Sequence, residues 1–184
     1  MIKIYKNTIS QAEIDTVIGM LERLPEYIWR QSDCTDEPVD QIKEFLPQAV
    51  CKILNSVYMN LYIPILSDFK IKICIPENYN YAIDRRLKGY SLNLHTDIPT
   101  GKFLRHKGSN PEDSLTAISA ILYLSDDFEG GELRFDHNGE IYKPIKGDLI
   151  AFLPTLEHEI LEIKKGVRYS CQFFYTKPDN GRSN

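Results

Sequence analysis

Cysteine is sparse and scattered in this 184-residue chain: Cys34, Cys51, Cys74 and Cys171 include no CxxC pair. That spacing speaks against a zinc cluster, a thioredoxin-like motif and a disulfide framework. Cys51, Cys74 and Cys171 lie in apolar segments and read as small core residues, whereas Cys34, in SDCTDEP, reads as an exposed thiol. No stretch approaches the roughly 18 consecutive apolar residues of a membrane span. The opening MIKIYKNTISQAEID has no long apolar run and no small-residue cleavage site. A soluble, cytoplasmic protein with no membrane partner is therefore expected. Charge of one sign is also lacking, since 22 Lys+Arg face 26 Asp+Glu for a formal charge of −4. Global attraction to nucleic acid or anionic lipid is excluded, so any basic contact surface must be local. There is no internal repeat or low-complexity segment, and no signature of a particular oligomeric state.

What is present is a globular composition, 42% hydrophobic and 26% charged, enough for one sizeable core. Ser10 and Glu13 have the spacing of a capping box, and Ile14, Val17, Ile18, Leu21 and Leu24 follow on one helical stripe. A first helix is predicted over about residues 10–24. After a polar, acidic stretch, Ile42, Phe45, Leu46, Val50, Ile53, Leu54, Val57 and Tyr58 predict a second helix, bent or broken at Pro47. Beyond residue 66 the period changes to two, in short runs such as FKIKICI, YSLNLH, LTAISAILYL, DLIAFL and VRYSCQFFY. Helices followed by about seven or eight short strands predict an α+β domain whose sandwich or barrel is covered by helices on one side. The expected organisation is one domain over 1–184: a mainly helical part at 1–65, a β core at 66–176 and a tail at 177–184. The gap at 98–114 has the length of a lid or binding loop.

The strand YSLNLHTD places Ser91, Asn93, His95 and Asp97 on one face by simple alternation, with Leu92 and Leu94 on the other. If the leucines serve the helices, His95 and Asp97 turn inward, where a cation would offset the cost of burying them. On its own, HxD is more often a surface or hydrogen-bonded pair. His158, one of only four histidines, follows the apolar strand DLIAFL. Two histidines and a carboxylate make the facial ligand set of non-haem Fe(II) oxygenases, which leaves coordination positions open. Arg168 alternates with Ser170 and Gln172 in VRYSCQFFY. An inward guanidinium needs an anion, and a dicarboxylic co-substrate supplies one. Taken alone, Arg168 also fits a surface or salt-bridged arginine.

The ordered combination HTD, EGGEL, His158 and RYS resembles the Fe(II)- and 2-oxoglutarate-dependent dioxygenases, within them the prolyl 4-hydroxylase-like branch, over about residues 78–176. That resemblance implies a double-stranded β-helix (jelly-roll) core with the N-terminal helices packed on one sheet. It implies His95, Asp97 and His158 as iron ligands, and Arg168 with Ser170 and Tyr123 as the anchor for 2-oxoglutarate. Tyr123 also fits a plain core aromatic. Asn93, placed beside His95 by alternation, has two readings, a contact to co-substrate or substrate and a buried structural amide. Fe(II), 2-oxoglutarate and O2 are the implied cofactors and co-substrates, with ascorbate an optional addition. The implied reaction is hydroxylation of a peptide, protein or free amino-acid side chain with release of succinate and CO2. The turn Glu129-Gly130-Gly131-Glu132 reads as a hairpin without catalytic role.

A basic rim is formed by Arg85, Arg86, Lys88, Lys102, Arg105 and Lys107. The nucleobase-demethylating relatives usually have a second arginine six residues after the first, and Phe174 stands there, which disfavours nucleic acid as a partner. The competing reading from a different class is a jelly-roll module that binds metal and dicarboxylate, as a sensor, without turnover.

Overall fold

The computed structural model describes residues 1–32, 45–72, 79, 81–97 and 116–176. The 98–114 loop, Cys34, Cys74, Ile42, Lys102, Arg105, Lys107 and the 177–184 tail lie outside the described residues.

Helix α1 spans Gln11–Leu21 and opens on the expected capping box. The Ser10 N–H donates to the Glu13 carboxylate at 2.9 Å and Ser10 Oγ accepts from the Glu13 N–H at 3.3 Å. It stops short of Leu24 because a residue before proline, here Pro25, is driven out of helical geometry. Pro25 then starts rather than only stops: α2, Glu26–Ser32, begins directly after it and buries Ile28 and Trp29. Seven residues hold too few repeats for periodicity to reveal this helix. Pro47 breaks the next apolar segment, and α3, Gln48–Asp68, begins behind it. This helix is long and apolar enough to cross a membrane by length and composition, yet Val50, Leu54, Val57, Tyr58 and Ile65 are packed into the protein core.

The strands are β1 (Ile2–Tyr5), β2 (Tyr81–Leu87), β3 (Leu92–His95), β4 (Thr116–Tyr123), β5 (Glu129–Gly130) and β6 (Leu133–Phe135). They continue with β7 (Ile141–Tyr142), β8 (Leu149–Phe152), β9 (His158–Ile160), β10 (Ile163–Lys165) and β11 (Val167–Thr176). A five-stranded sheet has the order β1-β8-β4-β11-β2, a four-stranded sheet the order β3-β9-β6-β7, and β10 pairs with β5. The pairings are antiparallel throughout, as the jelly-roll expectation requires. The expectation of a mainly helical 1–65 is corrected at its start. Ile2–Tyr5 forms an edge strand on β8, with Ile2 opposite Phe152 and Tyr5 opposite Leu149, so the N-terminus is part of the sheet core.

Alternation along the central strands assigns the two layers. Leu122, Leu149, Ala151, Cys171 and Phe173 face the helices and pack with Val17, Leu21, Leu54 and Ile65. The Tyr58 ring stacks on Tyr175 at 4.6 Å and thereby docks α3 onto β11. Ile121, Tyr123, Ile150 and Phe152 face the other way and pack with Leu133, Phe135 and Ile160 of the four-stranded sheet. β4 is thus buried on both faces, which is why its sequence reads as a nearly continuous apolar run. Cys171 is buried and Cys51 half-buried, and neither is in a disulfide.

The glycines of EGGE serve a close crossing instead of the expected hairpin. Gly130 pairs with Ile163 of β10, while Leu133 pairs with Ile160 of β9, so the chain switches partners across this turn. Gly130 has φ +79°, and a Cβ there would lie 2.1 Å from the Glu162 carbonyl oxygen. Both the dihedral and the contact demand glycine. Gly130→Ala should therefore destabilise the fold by about 2–3 kcal/mol, by strain at positive φ and displacement of the Glu162 backbone. Urea unfolding of the two proteins checks this, and an unchanged midpoint would contradict it.

Candidate active site

The short strand β3 and the two residues after it carry the first candidate ligand pair, His95 and Asp97, and a bulge decides where His95 points. Leu92 is opposite Ile160 and His95 opposite His158, so three steps on β3 match two on β9. Leu92 packs between the sheets and His95 faces the same interior, although an uninterrupted alternation would separate them. The expected alternation is corrected accordingly: Leu94 is exposed, Asn93 is exposed, and the helices cover the other sheet. Inward placement of His95 holds, but through the bulge. Asn93 contributes its backbone carbonyl, 2.8 Å from His95 Nδ1, and its side chain is exposed.

His158, on β9, is tied in the same manner, with Nδ1 2.8 Å from the Leu156 carbonyl oxygen. When each Nδ1–H donates to its carbonyl, each Nε2 is left as the lone pair. The Asp97 backbone N–H donates to the Pro154 carbonyl at 3.0 Å, which brings its carboxylate between the rings. Asp97 Oδ1 lies 3.6 Å from His95 Nε2 and 3.7 Å from His158 Nε2. All three ligand atoms fall within 4.8 Å of one another. The His158 ring is buried against Phe152 and Phe135.

Electrostatics favours the ligand form at His158 and Asp97 but not at His95. Burial lowers His158 below the ordinary imidazole value and keeps it neutral. Burial acts the same way on His95, but the Asp97 carboxylate and the Asn93 carbonyl outweigh it and leave the group raised. Asp97 is lowered: burial opposes ionisation, yet His95, His158 and the Ser119 hydroxyl together more than offset it. Ser119, buried on the inner face of β4, is a neighbour of Asp97 that its sequence context does not distinguish from other strand serines.

Deeper between the sheets, Arg168 is fully buried. Its Nη1 donates to Ser170 Oγ at 2.8 Å and its guanidinium carbon lies 5.1 Å from the centre of the Tyr123 ring. Ser170 stands opposite Tyr123 in the β11–β4 register, so the three residues form one inward-facing group. Arg168 Nε and Nη2 and the Tyr123 hydroxyl are buried without hydrogen-bond partners. Leaving a guanidinium in that state costs several kcal/mol, a cost that an anion removes. Gly131 makes room for it, since a Cβ there would lie 3.3 Å from Arg168 Cδ.

The basic rim is partly absorbed into structure. Arg86 donates to Asp84 at 3.0 Å and lies over the Tyr90 ring, while Asp84 also receives the Gln172 amide at 2.6 Å. Arg85 is paired with Glu26 and lies over Trp29. Lys88 is exposed. Facing rows across β2 and β11 explain why adjacent arginines diverge, one inward and one toward the helices, which linear charge counting does not show.

The donor set fits a divalent iron: two imidazole nitrogens and one carboxylate converge with their orientations fixed from behind. The unpaired donors around Arg168 fit the carboxylate of a dicarboxylic acid. Comparison with known proteins agrees. Residues 80–176 match the 2OG-Fe(II) oxygenase superfamily. A PKHD-type hydroxylase from Cupriavidus metallidurans is 28% identical over 144 residues, covering 76% of this chain and 58% of that protein. The chain thus spans little more than half the length of this curated relative. A prolyl-4-hydroxylase from Pseudomonas putida has the same fold, with TM-score 0.63 at 18% identity over 96% of this chain and 88% of that one. A viral collagen prolyl hydroxylase from Paramecium Bursaria Chlorella virus-1, solved as a 2OG complex, gives 0.52 at 20% identity, covering 96% and 95%. Because the sequence match takes in more than half of the chain and every strand from β2 to β11, this protein belongs to the 2OG-Fe(II) oxygenase superfamily.

Proposed function

We propose that this protein is an Fe(II)- and 2-oxoglutarate-dependent hydroxylase that acts on a side chain of a peptide or protein, with proline the first residue to test. The observation that carries this reading is the common interior: the free Nε2 atoms of His95 and His158, the Asp97 carboxylate and the unpaired donors of Arg168 all belong to the space between the two sheets. Family membership and the prolyl hydroxylase folds support the substrate class, and a free amino acid is the next candidate. Cys51 and Cys171, neither of them in a disulfide, fit the cytoplasm.

In this reading His95, Asp97 and His158 hold the iron, with the imidazoles aimed by the Asn93 and Leu156 carbonyls. Arg168, Ser170 and Tyr123 hold the distal carboxylate of 2-oxoglutarate. When bound, the metal and 2-oxoglutarate supply oxygen activation coupled to decarboxylation, giving succinate, CO2 and a hydroxylated product. Ile121, Ile150, Phe152 and Leu133 line the interior with apolar surface and keep water from the reacting end. The chain's own task is positioning and exclusion, since the co-substrate brings the oxidising power.

Anaerobic titration of the purified protein with Fe(II) and 2-oxoglutarate should develop the weak visible charge-transfer band of the chelate. Asp97→Ala should abolish the band while the protein stays folded, and an undiminished band would refute the ligand assignment. Arg168→Ala should weaken 2-oxoglutarate binding by roughly 10–100-fold, the worth of a lost hydrogen bond to a charged group, without removing metal binding. Succinate release under oxygen separates an enzyme from a sensing module, which would bind both ligands and release none.

A further inference from the structure

Tyr142 is absorbed by none of the roles assigned so far. It lies on β7, the edge strand of the four-stranded sheet, opposite Leu133. Its ring packs on the inner cluster, with its centre 5.7 Å from that of Tyr123 and the two planes tilted by 30°. Tyr123 in turn carries Arg168 over its face. The Tyr142 hydroxyl is buried and has no hydrogen-bond partner, like the Tyr123 hydroxyl and Arg168 Nε and Nη2. Burial of four such groups in one neighbourhood is costly and calls for an acceptor.

We infer that Tyr142 is a further co-substrate-binding residue, whose hydroxyl donates to the distal carboxylate of 2-oxoglutarate together with Arg168 and Tyr123. The inference rests on the reading of this interior as a 2-oxoglutarate site. The donor inventory supports it, because a carboxylate offers about four lone-pair sites and four donor atoms of this neighbourhood have no hydrogen-bond partner. Burial and the neighbouring Asp148 carboxylate push the phenol above its ordinary value, so it stays a donor at neutral pH. Asp148, which accepts the Asn7 N–H at 3.1 Å, is a neighbouring carboxylate that competes for this hydroxyl when no co-substrate is bound. Because Arg168, Ser170 and Tyr123 come from the five-stranded sheet and Tyr142 from the four-stranded one, the carboxylate is clamped between the sheets. Tyr142 then contributes to selection of a dicarboxylic over a monocarboxylic 2-oxo acid.

The test is anaerobic calorimetric titration of the full chain loaded with Mn(II), using 2-oxoglutarate and, separately, 2-oxopentanoate, which has the same chain length but no distal carboxylate. Tyr142→Phe keeps the ring and removes only the hydroxyl. It should weaken 2-oxoglutarate binding about ten-fold and leave the affinities for Mn(II) and 2-oxopentanoate unchanged. Wild-type affinity for 2-oxoglutarate in Tyr142→Phe would overturn the inference, as would equal losses for both acids, which mark a packing defect. Absence of 2-oxoglutarate binding by the wild-type protein would instead overturn the reading of the site itself.

Discussion

The inward-facing row of β11 and β4 is the constraint on which the rest of the structure depends. Arg168, Ser170, Tyr123 and Ile121 share one face, whereas Tyr169, Cys171, Phe173 and Leu122 share the other. A slip of one residue between these strands and their neighbours would drive the Arg168 guanidinium into the layer beneath α1 and α3. An unpaired cation there costs several kcal/mol, and the apolar residues displaced toward the site would lose their packing as well. The helices therefore do more than cover a sheet. By demanding a largely apolar face, they fix which residues are left for chemistry.

On the site side the same economy of orientation appears at each candidate ligand. The imidazoles of His95 and His158 are fixed through Nδ1 to backbone carbonyls from their own neighbourhood, and Asp97 is fixed through its own N–H. Such outer contacts set the tautomer before any ion arrives. Around Arg168 the logic is reversed: the group is held by packing, by Ser170 and by the missing side chain of Gly131, while its remaining donors stay unmatched. One end of the interior is prepared as a set of lone pairs and the other as a set of donors. A 2-oxo dicarboxylic acid has the complementary ends.

Much of this was legible along the chain because it depends on local pattern. The capping box at Ser10, the helical stripe of Ile14, Val17 and Leu21, and the period-two runs after residue 66 each involve residues close in sequence. The ligand set was legible through residue chemistry in a fixed order, HxD, then His158, then RxS, whose spacing follows from the strand order of the fold. The orientation of Asn93 was not legible, since a bulge exists only relative to a partner strand, here β9. β1 escaped notice because four residues of edge strand are defined by pairing with β8 and not by their own periodicity.

By itself, then, the sequence determined the element types, the apolar and polar faces of the long elements, and the identities of His95, Asp97, His158 and Arg168 as the groups with chemistry to offer. Only the tertiary structure decided which side of β3 faces inward, that Asp84 takes up Arg86 and Gln172, that the EGGE glycines mark a change of strand partner, and that Tyr142 stands beside Tyr123. The division has a physical reason. Propensity and alternation act between residues a few positions apart, whereas bulges, ion pairs across strands and contacts between sheets arise only when distant segments are brought into register and water is expelled from between them.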